Sequence, residues 1–182
     1  MSKLDDFMGL LLGSFDNREQ FEAKKATGEV FPFARHINTA CNDKILNLPA
    51  DFAGVFMVEE SYYETDGRKS ASPHLFLFTE EPDGVLLTSY DAPEGNDKRT
   101  FSYDTMVPAE YASLRKSGKF VPALYREHEG VWEGGSDSMF TPTMKFHLFE
   151  RFFADALEVT ETMETNGRRV FGFDDPILYQ RV

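Results

Sequence analysis

Residues 74–90, HLFLFTEEPDGVLLTSY, decide how the rest of the chain is read. Two runs rich in β-formers, His74–Thr79 and Val85–Tyr90, flank Glu80-Glu81-Pro82-Asp83-Gly84. Pro presets φ and Gly tolerates a positive one, so Pro-Asp-Gly between such runs predicts a β-hairpin. Immediately upstream, residues 52–63 (FAGVFMVEESYY) read as a further strand. Residues 99–103, 121–128, 130–134, 168–173 and 177–181 are additional strand candidates, and Asn166-Gly167 fits a tight turn of the primed type. Short strands with turns often about 8–12 residues apart predict an antiparallel barrel or sandwich. The length, 182 residues, suits one domain over 1–182.

Helical signals are few. Leu4, Phe7, Met8, Leu11, Leu12 and Phe15 recur at spacings of three and four, the apolar stripe of an amphipathic helix. Ser2 is placed to cap it, with Asp5 and Asp6 in the first turn complementing the helix dipole. The pattern continues weakly through Phe21 and fades at Gly28; the stripe is expected to plug or flank the β core. Ala109, Tyr111, Ala112, Leu114 and Arg115 predict a short helix near Pro108–Ser117, with Gly118 after it. Residues 144–157 fit both periods. Phe146, Phe149, Phe153, Ala156 and Leu157 suit a helix, while Phe146, Leu148 and Phe152 suit one face of a strand.

Lys and Arg total 19 against 31 Asp and Glu, a net charge of −12. Nucleic-acid binding needs clustered cations to neutralise phosphates, so this balance argues against it, and more weakly against an anionic membrane surface. No apolar run approaches the roughly 20 residues of a membrane span. Asp5 and Asp6 stand where a secretory signal carries positive charge, and Cys41 is the single cysteine, so a cytoplasmic protein without an internal disulfide is expected. The four histidines, His36, His74, His128 and His147, form no metal-binding spacing, and no metal is expected. Aromatics make up 14%, with 18 Phe, which points to a roomy aromatic core or a lined pocket.

Gly13-Ser14-Phe15-Asp16-Asn17-Arg18-Glu19-Gln20 resembles the G-x-F-S-N-x-x-Q signature of the CpcT/CpeT family of T-type phycobiliprotein chromophore lyases. Val58-Glu59-Glu60-Ser61-Tyr62 looks like that family's V-E-Q-A-Y strand. Gly167–Gly172 followed by Pro176–Tyr179 looks like its terminal motif. The three fall in the family's order, from about residue 4 to the C-terminus. The resemblance implies a calycin- or lipocalin-like antiparallel β-barrel with an N-terminal α-helix and minor helical insertions. It further implies that the barrel binds an open-chain tetrapyrrole, phycocyanobilin or phycoerythrobilin, as substrate rather than as a resident cofactor. The bilin would go to a cysteine of a phycobiliprotein β subunit, and the family favours a homodimer.

A bilin carries propionates, pyrrole-type nitrogens and a conjugated body, so its pocket needs aromatic walls, cations and a buried carboxylate that favours the protonated chromophore. Glu59 matches the family's strand Glu and is the expected catalytic carboxylate. Alternation places Glu59 with Val55, Met57 and Ser61, and Glu60 with Phe56, Val58 and Tyr62. Both faces are apolar, so the pattern leaves open which points inward. Arg68 and Lys69, after the turn Thr65-Asp66-Gly67, are candidate propionate anchors or ordinary loop charges. Tyr62, Tyr63, His74 and Trp132 are candidates to line the ligand by stacking and hydrogen bonding, or core residues. Asn17 matches the N-terminal motif as a ligand residue, or satisfies backbone groups where helix becomes loop. Pro73-His74-Leu75-Phe76-Leu77 stands where the family has P-Y-R-Q-R, replacing an Arg and a Gln by apolar residues. That departure motivates the alternative of a non-enzymatic barrel for another apolar or tetrapyrrole ligand.

Overall fold

In the computed structural model, which describes residues 2–182, the chain enters through α1 (Lys3–Leu11) and β1 (Gly13–Asp16). Helix α2 (Arg18–Ala26) leads to β2 (Phe33–Ala40), the two-residue β3 (Ile45–Leu46) and the long strands β4 (Val55–Thr65) and β5 (Arg68–Glu81). Then come β6 (Gly84–Tyr90), the short β7 (Ala109–Glu110), β8 (Ala123–His128), β9 (Val131–Thr141) and β10 (Met144–Phe152). β11 (Ala156–Thr165), β12 (Arg168–Phe171) and β13 (Ile177–Arg181) complete the chain.

The strands run in the order β10-β9-β8-β6-β5-β4-β2-β1-β13-β11, and antiparallel pairing of β10 with β11 closes them into a barrel of ten strands. The architecture is mainly β and agrees with the calycin-like barrel expected. Closure removes the unpaired edges of an open sheet. β12 pairs only with the last third of β11, as a flap beside the ring. The hairpin at 74–90 forms as expected, with Glu81 opposite Gly84. At Asn166-Gly167 both residues have positive φ, 51° and 74°, as a primed turn requires; Asp66-Gly67 and Glu129-Gly130 do the same.

Ser2 and Asp5 form a reciprocal capping box, and α1 turns Leu4, Phe7, Met8 and Leu11 into one end of the barrel. Phe7 meets the rings of Phe78, Tyr125, Trp132 and Phe152 at centroid distances of 4.9–5.7 Å. The stripe therefore plugs the barrel. It does so with two elements, because the helix ends at Leu11 and Phe15 enters the core from β1. A second core lies on the outer wall. There Phe56, Val58, Leu75 and Leu77 are covered by Cys41, Ile45, Phe101 and Met106 from the segments after β2 and β6.

Two expectations change, and one ambiguity is resolved. The helix at 108–117 is instead β7, parallel to β3, followed by one tight helical turn at Tyr111–Ser113. Tyr111 faces the rings of Phe52 and Phe56, and this packing overrides a short segment's helix preference. Residues 99–103 join no ladder, and Phe101 serves the outer core. The ambiguous 144–157 resolves into β10 and the start of β11, with Phe146, Leu148 and Phe152 on one face. No described helix is long and apolar enough to cross a membrane.

Candidate functional site

The end of the barrel opposite α1 is open. A cavity of about 350 Å³ descends from it, walled by Phe76, Phe120, Phe140, Phe146, Leu148, Met163 and Phe171 and interrupted by Ser61, Ser70, Ser72, Ser89 and Ser136. Its size is at the lower end for small-molecule sites, which span about 300–1,000 Å³. Glu59 and Glu161 form its floor. Beneath them a smaller space of about 30 Å³ is bordered by the same two carboxylates with Glu150, His36, Tyr125 and Leu11. A space of that size is large enough for an internal water.

Strand alternation puts these groups there. On β4, Met57, Glu59, Ser61 and Tyr63 face inward while Val58, Glu60 and Tyr62 face out, which answers the question the sequence leaves open. The β4–β5 register sets Glu59 opposite His74, and the β2–β4 register sets it opposite Asn38. On β10 and β11, Glu150 and Glu161 occupy inward positions between apolar neighbours, Leu148 and Phe152 for one and Val159 and Met163 for the other.

The polar groups form a linked set. Ser61 Oγ donates to Glu59 at 3.0 Å. The Tyr179 hydroxyl and His36 Nε2 are 3.0 Å apart, and His36 Nδ1 lies 3.7 Å from Glu59. Tyr63 donates to Glu161 at 3.4 Å, and the Tyr125 hydroxyl donates to Glu150. Ser72 Oγ and His74 Nε2 are 2.9 Å apart.

Burial and mutual repulsion set the protonation. Burial, reinforced by the charge of Glu59, pushes Glu150 up to about 8 and Glu161 up to about 7. Burial pulls His36 and His74 below the usual imidazole value, against the opposing pull of Glu59. Both rings are therefore held toward the neutral form. No lysine or arginine lines either compartment. Among the described residues no group of three or more His, Cys, Asp and Glu is arranged to hold a metal ion.

Of the residues singled out in the sequence, Glu59, Tyr63 and His74 come together in the cavity. Tyr62 does not join them: it is on the outer face, 36% exposed, donates to Glu60 at 2.6 Å and lies under the Arg35 guanidinium. Arg68 and Lys69 sit at the exposed tip of the β4–β5 hairpin, just beyond Ser70 of the cavity wall; Lys69 pairs with Glu64 at 3.6 Å. Trp132 is buried at the plugged end against Phe7. Asn17 bonds the backbone of Pro32 and Ala34, and Gln20 that of Pro176 and Leu178, so this motif fastens α2 to β2 and β13.

No family model matches this chain, and no curated protein matches it. The site is therefore read from its own chemistry. Glu150, Glu161, His36 and Tyr179 belong to it without having been singled out in the sequence as ligand-lining residues. For the two glutamates the signal was present: each is an acidic residue at an inward step of an apolar alternation, and for Glu150 the helix-like spacing of 144–157 hid the period of two.

Proposed function

We propose that this protein binds an open-chain tetrapyrrole in the open half of its barrel and presents it to an acceptor thiol, as a chromophore lyase of the CpcT/CpeT kind. The observation that carries the reading is Glu59, set with Glu161 at the floor of an aromatic-walled cavity. Ionised carboxylates accept hydrogen bonds from pyrrole N–H groups and stabilise the protonated chromophore, whose exocyclic ethylidene carbon is then more electrophilic. The acceptor thiolate adds at that carbon, forming the C–S bond, and a proton is delivered to the neighbouring ring carbon; no oxidant or metal enters this balance. The barrel's part is to orient the ligand and to shield it from competing additions.

The acceptor must be a partner's cysteine. Cys41 lies buried in the outer core, and burial, with the nearby charge of Asp43, pushes its thiol up to about 12. A thiol so far from ionising is no nucleophile. Because the cavity is small for a tetrapyrrole, its outer rings would project from the mouth, within reach of a phycobiliprotein β subunit and of Arg68 and Lys69 for the propionates. Homodimer formation and cytoplasmic residence belong to the same reading.

A second reading, a non-enzymatic barrel for another apolar ligand, is favoured by the cavity wall itself. It offers no cation to a propionate, and Phe76 stands where the family carries a polar residue. Co-expression with a bilin-producing pathway and a phycobiliprotein β subunit separates the two. Covalent colour on the β subunit, dependent on Glu59, supports the lyase; an uncoloured β subunit beside a barrel that copurifies with free pigment supports the carrier.

A further inference from the structure

The floor of the cavity has an excess of acceptors. Glu59, Glu150 and Glu161 all border the inner space, and no lysine or arginine stands against them. Asn38, which lines neither compartment, is a further buried polar group beside this layer. It is 3% exposed, on the inner face of β2 directly opposite Glu59; its amide nitrogen is spent on the Leu11 carbonyl at 2.9 Å, and its Oδ1 has no partner. Three donors within the layer are already committed, Tyr63 to Glu161, Tyr125 to Glu150 and Ser61 to Glu59, and the His36 ring, 3.7 Å from Glu59, shares its Nε2 with the Tyr179 hydroxyl. Buried carboxylates without countercharge are costly and must take up protons or a cation.

Directly above this layer the wall turns apolar, with Phe76, Phe146, Leu148 and Met163. From this layering we propose that the barrel is a receptor for amphipathic organic amines. The protonated nitrogen of such a ligand descends to Glu59 and Glu161, and its apolar body fills the aromatic chamber. Protonated nitrogen supplies both the missing charge and the missing donors, which neither an alcohol nor a carboxylate of the same length can do. The geometry also fixes polarity: an anionic head entering first would meet carboxylates with no lysine or arginine lining the cavity beside them. This inference does not rest on the tetrapyrrole reading. A barrel that leaves a β subunit uncoloured can still select amines, and one that colours it can still fail to.

Three ligands of equal chain length, octylamine, octanol and octanoate, test it by calorimetric titration of the purified protein at pH 7. The expected result is saturable binding of octylamine at least tenfold tighter than that of octanol, with octanoate weakest. Replacing Glu59 and Glu161 together, Glu59→Gln and Glu161→Gln, should abolish the preference for the amine, bringing the affinities for octylamine and octanol within about twofold of each other. Thermal unfolding of the double variant confirms that the barrel is intact, and because glutamine keeps the shape while removing buried charge, folding is expected to survive. Equal affinities for the three ligands, octanoate as the tightest, a preference that persists in the double variant, or no binding of any of them would each overturn the proposal.

Discussion

The two halves of the barrel interior are built on the same strands with the same alternation, yet one is solid and the other hollow. At the α1 end, inward positions carry Phe78, Tyr125, Trp132, Phe152 and Leu157, and Phe7 closes over them. At the open end, the same strands present Ser61, Ser72, Ser89 and Ser136, and the remaining Phe side chains line space instead of filling it. The three inward carboxylates lie where the two halves meet. Side-chain volume, with no change of backbone, turns one half of a barrel into core and the other into a chamber.

Truncations should separate the halves. Phe7→Ala removes a fully buried ring from the solid half and should cost about 3–5 kcal/mol, lowering the melting temperature by roughly ten degrees. Phe146→Ala widens a chamber that is already hollow and should cost about 1 kcal/mol while altering ligand uptake. Calorimetric melting of the two variants checks this, and equal losses would erase the distinction.

The boundary layer should show itself in pH dependence. Glu150 rises from an ordinary 4.5 to about 8 on folding, so the folded chain keeps a proton that the unfolded chain gives up. Its contribution to stability is complete below about 4.5 and is lost as pH rises toward 8. His36 and His74, pulled down by burial, act with the opposite sign and withdraw stability as pH falls below 6.5. Glu59, Glu161 and the hydroxyls of Tyr63, Tyr125 and Tyr179 face the same layer. Urea unfolding of Glu150→Gln from pH 4 to pH 9 should match the wild type at the acid end. At the alkaline end the variant should be more stable, on the order of a few kcal/mol. A constant offset across the range would remove Glu150 from the titrating layer.

The smallest effect contrasts neighbours on one strand. Tyr62→Phe, on the outer face, should change stability by less than about 0.5 kcal/mol and leave ligand binding untouched. Tyr63→Phe removes the donor to Glu161 and should shift the pH dependence of binding. Parallel titrations of the two variants read this directly.

Much of the fold is legible in the sequence, because the 74–90 hairpin, Asn166-Gly167 and the α1 stripe are local signals with local causes. What is not legible depends on partners distant in sequence. β1 is only four residues long and is defined by its pairing with β2 and β13. Residues 109–113 take their shape from β3 and the Phe52–Phe56 pair. In the site, Glu59 and His74 were legible from the strand and the run that carry them, and the structure adds that they are opposite each other. Tyr62 differs from Tyr63 by one step of a period-two pattern, and with apolar residues on both faces the sequence cannot assign the step. Only the outer core shows why both faces of β4 are apolar.

The central claim is that the hollow half is a ligand chamber whose chemistry is set by Glu59. Its most direct test is a visible-absorption titration of wild-type protein and Glu59→Gln with phycocyanobilin. The account predicts a saturable, red-shifted and sharpened band for the wild type, and for the variant an affinity at least tenfold lower with the band shifted back. No spectral change at tens of micromolar, or identical bands and affinities in the two proteins, would contradict it.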